Sequence, residues 1–278
     1  MKKSYYAAAA LSLFLLSGCI AGFSSRVEML PVNGTEPTTL QTTIYLPEGS
    51  GPFPLAVLNH GRIIGPAGGR PNQKREEFQA AAAELTRLGY LVAIPMRRGY
   101  AGSGGKSLNF GCDMRAVALN EAADIKDALD ALVTRPDVDR TNILLVGQSV
   151  GGLAVTAFSG QYPEYPGVKG IINFAGGQSR DNCNWAASEI NAHASFGKTA
   201  RVPMLWLYGT NDSFWGPSSG VPTQFYDAYT ANGASVTFIQ FGNFGVDAHG
   251  LLAHANGKQV WLPPVLDYLK ARGLPAKH

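Results

Sequence analysis

The chain has 278 residues, of which 45% are hydrophobic and 15% charged, with a formal net charge of +3. That length and apolar content suit one large domain with a substantial core. The small, dispersed positive charge excludes a nucleic-acid-binding face.

Lys2 and Lys3 follow Met1, and an apolar stretch from Ala7 to Leu16 comes next, too short to span a bilayer comfortably. Leu16-Ser17-Gly18-Cys19 closes it. This pattern resembles the lipobox of bacterial lipoproteins, in which the cysteine is lipidated and becomes the new N-terminus. The resemblance implies a signal peptide over residues 1–18 and a lipid anchor on Cys19. Export to the periplasm is then expected, with attachment to the outer membrane because Ile20 rather than an aspartate follows. Residues 19–38 read as a linker, and residues 39–278 as one folded domain.

Thr42-Thr43-Ile44-Tyr45-Leu46 alternates as a strand, and Leu55-Ala56-Val57-Leu58 is a buried one that runs into Asn59-His60-Gly61-Arg62. A helix is predicted over residues 75–88, with Phe78, Ala81, Ala82, Leu85 and Leu88 on one face and Gly89 as its stop. A strand at residues 90–94 leads into a Gly-rich loop, Arg98 to Gly105, and a long helix covers about residues 114–133. Ile143-Leu144-Leu145-Val146 is the next apolar strand, and residues 170–174, 204–208 and 236–241 form three more. Helices are predicted around residues 186–194, 222–231 and 260–271. This alternation indicates a mostly parallel sheet of about eight strands with helices on both faces. Ligands then belong at the carboxyl ends of the strands.

The strand at 143–146 breaks into Gly147-Gln148-Ser149-Val150-Gly151 and turns straight into a helix. A serine on such a strained strand-to-helix turn is presented as a nucleophile, and close passage of strand and helix requires small neighbours two positions away. Gly216-Pro217-Ser218-Ser219-Gly220 has the same spacing but follows no strand, so it reads as a loop. A serine hydroxyl needs a base within reach, oriented by a third group. Asp212 follows the strand at 204–208, and His249 lies in the loop after the last strand. We therefore expect Ser149 as nucleophile, His249 as base and Asp212 as its orienting acid. His254 and Asp181 are the alternatives, while Asp247 is too near His249 in sequence to orient the ring easily. Negative charge developing on a carbonyl oxygen calls for two backbone N–H donors. Val150 is one, and Arg62, after His60-Gly61, is the other.

These motifs, with Arg98-Gly99-Tyr100-x-Gly-Ser-Gly, Pro136-x-Val138-Asp139-Arg140 and Tyr208-Gly209-Thr210-x-Asp212, resemble the dienelactone hydrolase and prolyl-oligopeptidase-like group of α/β-hydrolases. The likeness spans roughly residues 40–272 and implies the α/β-hydrolase fold. Dienelactone hydrolases proper use a cysteine where this chain has Ser149, and the β-propeller of prolyl oligopeptidases is missing from the sequence.

Phe214, Trp215, Tyr100 and Phe244 are candidates for an apolar substrate pocket, and Arg62, Arg97 and Arg98 for binding an anionic group at its mouth. Cys112 and Cys183 fall in loops on the active-site side, where an exported protein can form a disulfide. Neither lies in a metal-ligand pattern, so no metal or cofactor is expected. The sequence points to a serine hydrolase acting on small or soluble esters through an acyl-enzyme. An amidase, peptidase or thioesterase with the same triad, or a non-catalytic binding lipoprotein, stays open, as does the oligomeric state.

Overall fold

The computed structural model describes residues 18–20, 23–34, 36–62, 74–181, 183–215 and 219–276. Apart from Gly18, the expected leader lies outside them, and Cys19 is described only as part of a short strand. Among the described residues no helix is long and apolar enough to cross a membrane.

Among the described residues nine strands form one sheet: β1 (Gly18–Ile20), β2 (Phe23–Val32), β3 (Thr38–Pro47), β4 (Phe53–Asn59), β5 (Leu91–Pro95), β6 (Val138–Gln148), β7 (Val168–Phe174), β8 (Met204–Gly209) and β9 (Val236–Phe241). Their order is β1-β2-β3-β5-β4-β6-β7-β8-β9. The first three are antiparallel to their neighbours, and the sheet is parallel from β5 through β9. All six parallel strands therefore end on one edge, where the loops after them meet.

The parallel strands are buried on both faces, which is why they read as unbroken apolar runs. Successive side chains still alternate between the faces. Leu55, Val57, Ile143 and Leu145 join one core, while Ala56, Leu58, Leu144 and Val146 join the other. The first core is covered by α2 (Met114–Leu132), α3 (Val150–Gln161), α4 (Trp185–Gly197) and α5 (Val221–Thr230). The second is covered by α1 (Gln79–Arg87) and α6 (Lys258–Ala271).

Two expectations need correction. Residues 23–32, read as part of a linker, are a ten-residue strand paired with β3. Only Phe23, Leu30 and Val32 are buried along it, so its alternation is too weak to stand out. Its polar residues also have partners, as Glu28 pairs with Arg135 at 2.7 Å. The helix predicted from residue 75 starts at Gln79 instead. Phe78 is buried in a left-handed conformation (φ 39°), and the Glu76 carboxylate accepts the Glu77 and Phe78 N–H groups at 3.1 and 3.2 Å. That local turn competes with the first helical turn and wins.

Candidate active site

Ser149 sits between β6 and α3 with φ 56° and ψ −124°, a conformation rarely adopted by a residue with a side chain. The surrounding backbone holds it there. The Ser149 N–H donates to the Phe174 carbonyl at 3.0 Å, and the Ser149 carbonyl accepts from Leu153 at 3.0 Å and Gly177 at 3.1 Å. The glycines are steric necessities. A Cβ on Gly147 would collide with the Gly151 carbonyl, and one on Gly151 with the Asn59 carbonyl.

Asp212 lies just beyond β8, its side chain wholly enclosed. One carboxylate oxygen accepts the N–H groups of Phe214 and Trp215 at 2.8 and 2.9 Å. The imidazole of His249 approaches with Nδ1 at 3.0 and 3.2 Å from the two oxygens. With Nδ1 donating to the acid, Nε2 is left as the basic nitrogen. Ser149 and His249 line one cleft of about 320 Å³ together with Gly61, Arg62, Val150, Phe214 and Trp215.

The loops carrying Asp212 and His249 are bonded to each other. Asp247 accepts the His249 N–H at 2.9 Å and the N–H and hydroxyl of Ser213 at 3.0 and 2.7 Å. Burial pushes its carboxyl up, but these donors more than offset that and hold it below the ordinary carboxylate range. Asp247 thus fixes the backbone of His249 and leaves the ring to Asp212. His254 accepts from the Asn256 N–H at 3.2 Å and does not line the cleft. Asp181 is exposed and does not line it. The competing serine motif at residues 216–220 lies mostly outside the described residues.

Gly61 lies against Ser149, since a Cβ there would stand 2.9 Å from the Ser149 Cβ. Phe214 is half exposed, with its ring 4.6 Å from that of His249. Trp215 is buried beneath it and donates its indole N–H to the Ala175 carbonyl at 2.9 Å. Two expected pocket residues are elsewhere. Tyr100 is buried behind the turn at His60, ring centroids 4.8 Å apart, so it supports that turn rather than facing the cleft. Phe244 packs edge-on to His254 at 5.2 Å, among the side chains that surround α6. The expected anionic mouth loses two arginines as well. Arg97 is buried and paired with Glu121, and Arg98 is paired with Asp124 and Asp127.

Sequence reading missed Gln148, Gly177, Gln178 and Ser179, which also line the cleft. The last three follow β7, and their place after a parallel strand was the available signal. Behind them, the turn at residues 175–178 is pinned from below. The Tyr208 hydroxyl donates to Gly176 at 2.7 Å, and the Glu189 carboxyl accepts the Gln178 N–H at 3.1 Å. Burial pushes the Glu189 carboxyl well above the ordinary range. Cys112 and Cys183 form a disulfide, with Cα atoms 6.4 Å apart. It ties the segment before α2 to the segment before α4, next to this wall of the cleft.

The model of the prolyl oligopeptidase family matches residues 76–165, which include Ser149. Among solved structures, an esterase from Pyrococcus furiosus superposes with a TM-score of 0.61 at 14% identity, over 88% of this chain and 90% of its own. An acetyl xylan esterase from Paenibacillus sp. R4 gives 0.60 at 15%, over 93% and 88%. An acylaminoacyl peptidase from Pyrococcus horikoshii gives 0.64 at 17%, over 90% of this chain but only 42% of that larger one. No curated protein sequence matches the chain.

Proposed function

We propose that this chain, an α/β-hydrolase in its fold, is a serine hydrolase that cleaves a carboxylic ester of a small or soluble substrate. One observation carries the reading: a buried carboxylate holds an imidazole over the cleft into which the strained serine opens. His249 takes the proton as the Ser149 oxygen attacks the carbonyl, and Asp212 stabilises the imidazolium that forms. The N–H groups of Val150 and Arg62 receive the charge developing on the carbonyl oxygen. His249 then returns the proton to the departing alcohol, leaving an acyl-enzyme. Water, activated by the same imidazole, releases the acid.

The cleft volume is at the low end for ligand sites, roughly 300–1,000 Å³, and favours a short acyl group. The prolyl oligopeptidase match supports a second reading, cleavage of an amide by the same groups. A fluorophosphonate probe tests the serine: labelling of the parent and none of Ser149→Ala is expected. An unlabelled parent refutes the hydrolase. p-Nitrophenyl esters of graded chain length, compared with the matching anilides, then separate ester from amide preference.

We also propose that Cys19 carries the lipid that anchors the exported domain to the outer membrane. Release of a Cys19→Ala variant into the soluble periplasmic fraction is the expected result.

A further inference from the structure

We propose that Arg97 is a positioning residue that fixes the direction of the Arg62 N–H, an inference that rests on reading Arg62 as an oxyanion donor. Arg97 follows β5, its side chain enclosed behind the turn at His60-Gly61. Its guanidinium donates to the His60 carbonyl at 2.5 Å and to the Gly61 carbonyl at 3.3 Å. On its other side it pairs with the Glu121 carboxylate of α2, which is also buried.

The same turn is gripped again through the imidazole. The Arg97 N–H donates to His60 Nε2 at 3.1 Å, so the ring proton belongs on Nδ1. That nitrogen lies 2.7 Å from the Gly61 carbonyl oxygen and donates to it. The Gly61 carbonyl therefore has two donors, both on the side away from the cleft. In a planar trans peptide the carbonyl and the following N–H point in opposite directions. Holding the Gly61 carbonyl back thus turns the Arg62 N–H forward, towards the side where Gly61 meets Ser149.

The lock has a purpose because residue 61 is glycine. Glycine has the backbone freedom to let this peptide rotate. A rotated peptide would present a carbonyl oxygen, with its negative end, where negative charge must be received. The Arg97 guanidinium and the His60 imidazole together disfavour that alternative, and Glu121 balances the charge that Arg97 brings into the interior.

Two variants test this. Arg97→Lys keeps a cation beside Glu121 but loses the planar fork that spans two carbonyls. Arg97→Met combined with Glu121→Met removes both buried charges. Folding is checked by circular dichroism and thermal melting, and kinetics use an ester and the matching thionoester, whose sulfur accepts hydrogen bonds poorly. For a folded variant we expect kcat on the ester to fall about 10- to 100-fold, because the donor is misdirected rather than removed. KM should stay within about threefold and the thionoester should lose much less. Parental kcat in either folded variant, or equal losses on the two substrates, overturns the proposal. A parent that neither labels with fluorophosphonate nor cleaves the ester refutes the underlying hydrolase reading instead.

Discussion

The side-chain amide of Gln148 donates to the backbone carbonyl of His249 at 2.7 Å. The residue next to Ser149 therefore also holds the loop that brings His249, so the two are registered to each other by one bond. Replacing Gln148 with Ala should cost about 10- to 100-fold in kcat, since small misplacements of reacting groups have effects of this size. KM should change little. Steady-state kinetics on a short p-nitrophenyl ester check this. Gln148→Glu places a carboxylate against that carbonyl and should do worse.

Asp212→Asn separates orientation from charge. The Asn oxygen still accepts from Phe214 and Trp215, so the turn should survive. The amide NH2 that replaces the oxygen nearer Nδ1 donates instead of accepting, so the ring is pushed away from the tautomer that leaves Nε2 basic. A loss of about 10⁴ in kcat is expected with an unchanged melting temperature. A loss under tenfold would show that another group orients the ring.

Much of this was legible in the sequence. The parallel strands declare themselves because burial on both faces leaves unbroken apolar runs, and the elbow because its glycines have no substitute. The meeting of Asp212 with His249 follows from position alone, each lying beyond a strand whose end is fixed by the sheet. The linker reading of residues 23–32 failed because β2 hides only one side, and Ser24, Ser25 and Arg26 mask its period. Tyr100 and Phe244 failed for a different reason. Nearness along the chain to a catalytic loop says nothing about which side of it a ring takes. Arg97 read as a candidate for binding an anion at the mouth, since nothing local announces that Glu121, on the following helix, will meet it in the interior.

Gly151→Ala and Gly242→Ala form a contrasting pair. A Cβ on Gly151 runs into the Asn59 carbonyl, backbone that cannot yield, whereas one on Gly242 meets nothing within 4 Å. The first should cost about 3 kcal/mol or more, or abolish soluble expression. The second should lie within about 1 kcal/mol of the parent and can be stabilising, because alanine restricts the unfolded chain. Urea denaturation of both variants decides.

Breaking the Cys112–Cys183 bridge should destabilise the fold by about 2–4 kcal/mol, because it closes a long loop with a sequence separation of 71. A Cys112→Ser/Cys183→Ser variant should melt roughly 5–15 °C lower. Adding reductant to the parent should reproduce that shift and leave the variant unaffected. The wall carrying Gln178 and Ser179 should loosen with it, raising KM more than it lowers kcat.

Glu189 gives a pH signature. Burial raises its carboxyl well above 4.5, so the folded chain keeps a proton that the unfolded chain releases. The stability this contributes is complete below about pH 4.5 and declines as pH rises towards the folded value, by at most about 1.4 kcal/mol per unit. His193, on the same helix, works in reverse: burial lowers it from 6.5 to about 4, so stability rises with pH across that interval. Above pH 4.5 the rise from His193 therefore opposes the decline from Glu189 wherever the two intervals overlap. Glu189→Gln keeps an acceptor for the Gln178 N–H and has no proton to lose. Whatever fixed cost its amide brings, its stability relative to the parent should climb between pH 5 and pH 8. Urea midpoints at pH 4, 6 and 8 measure this, and a difference that stays flat would mean that Glu189 is already ionised in the folded chain.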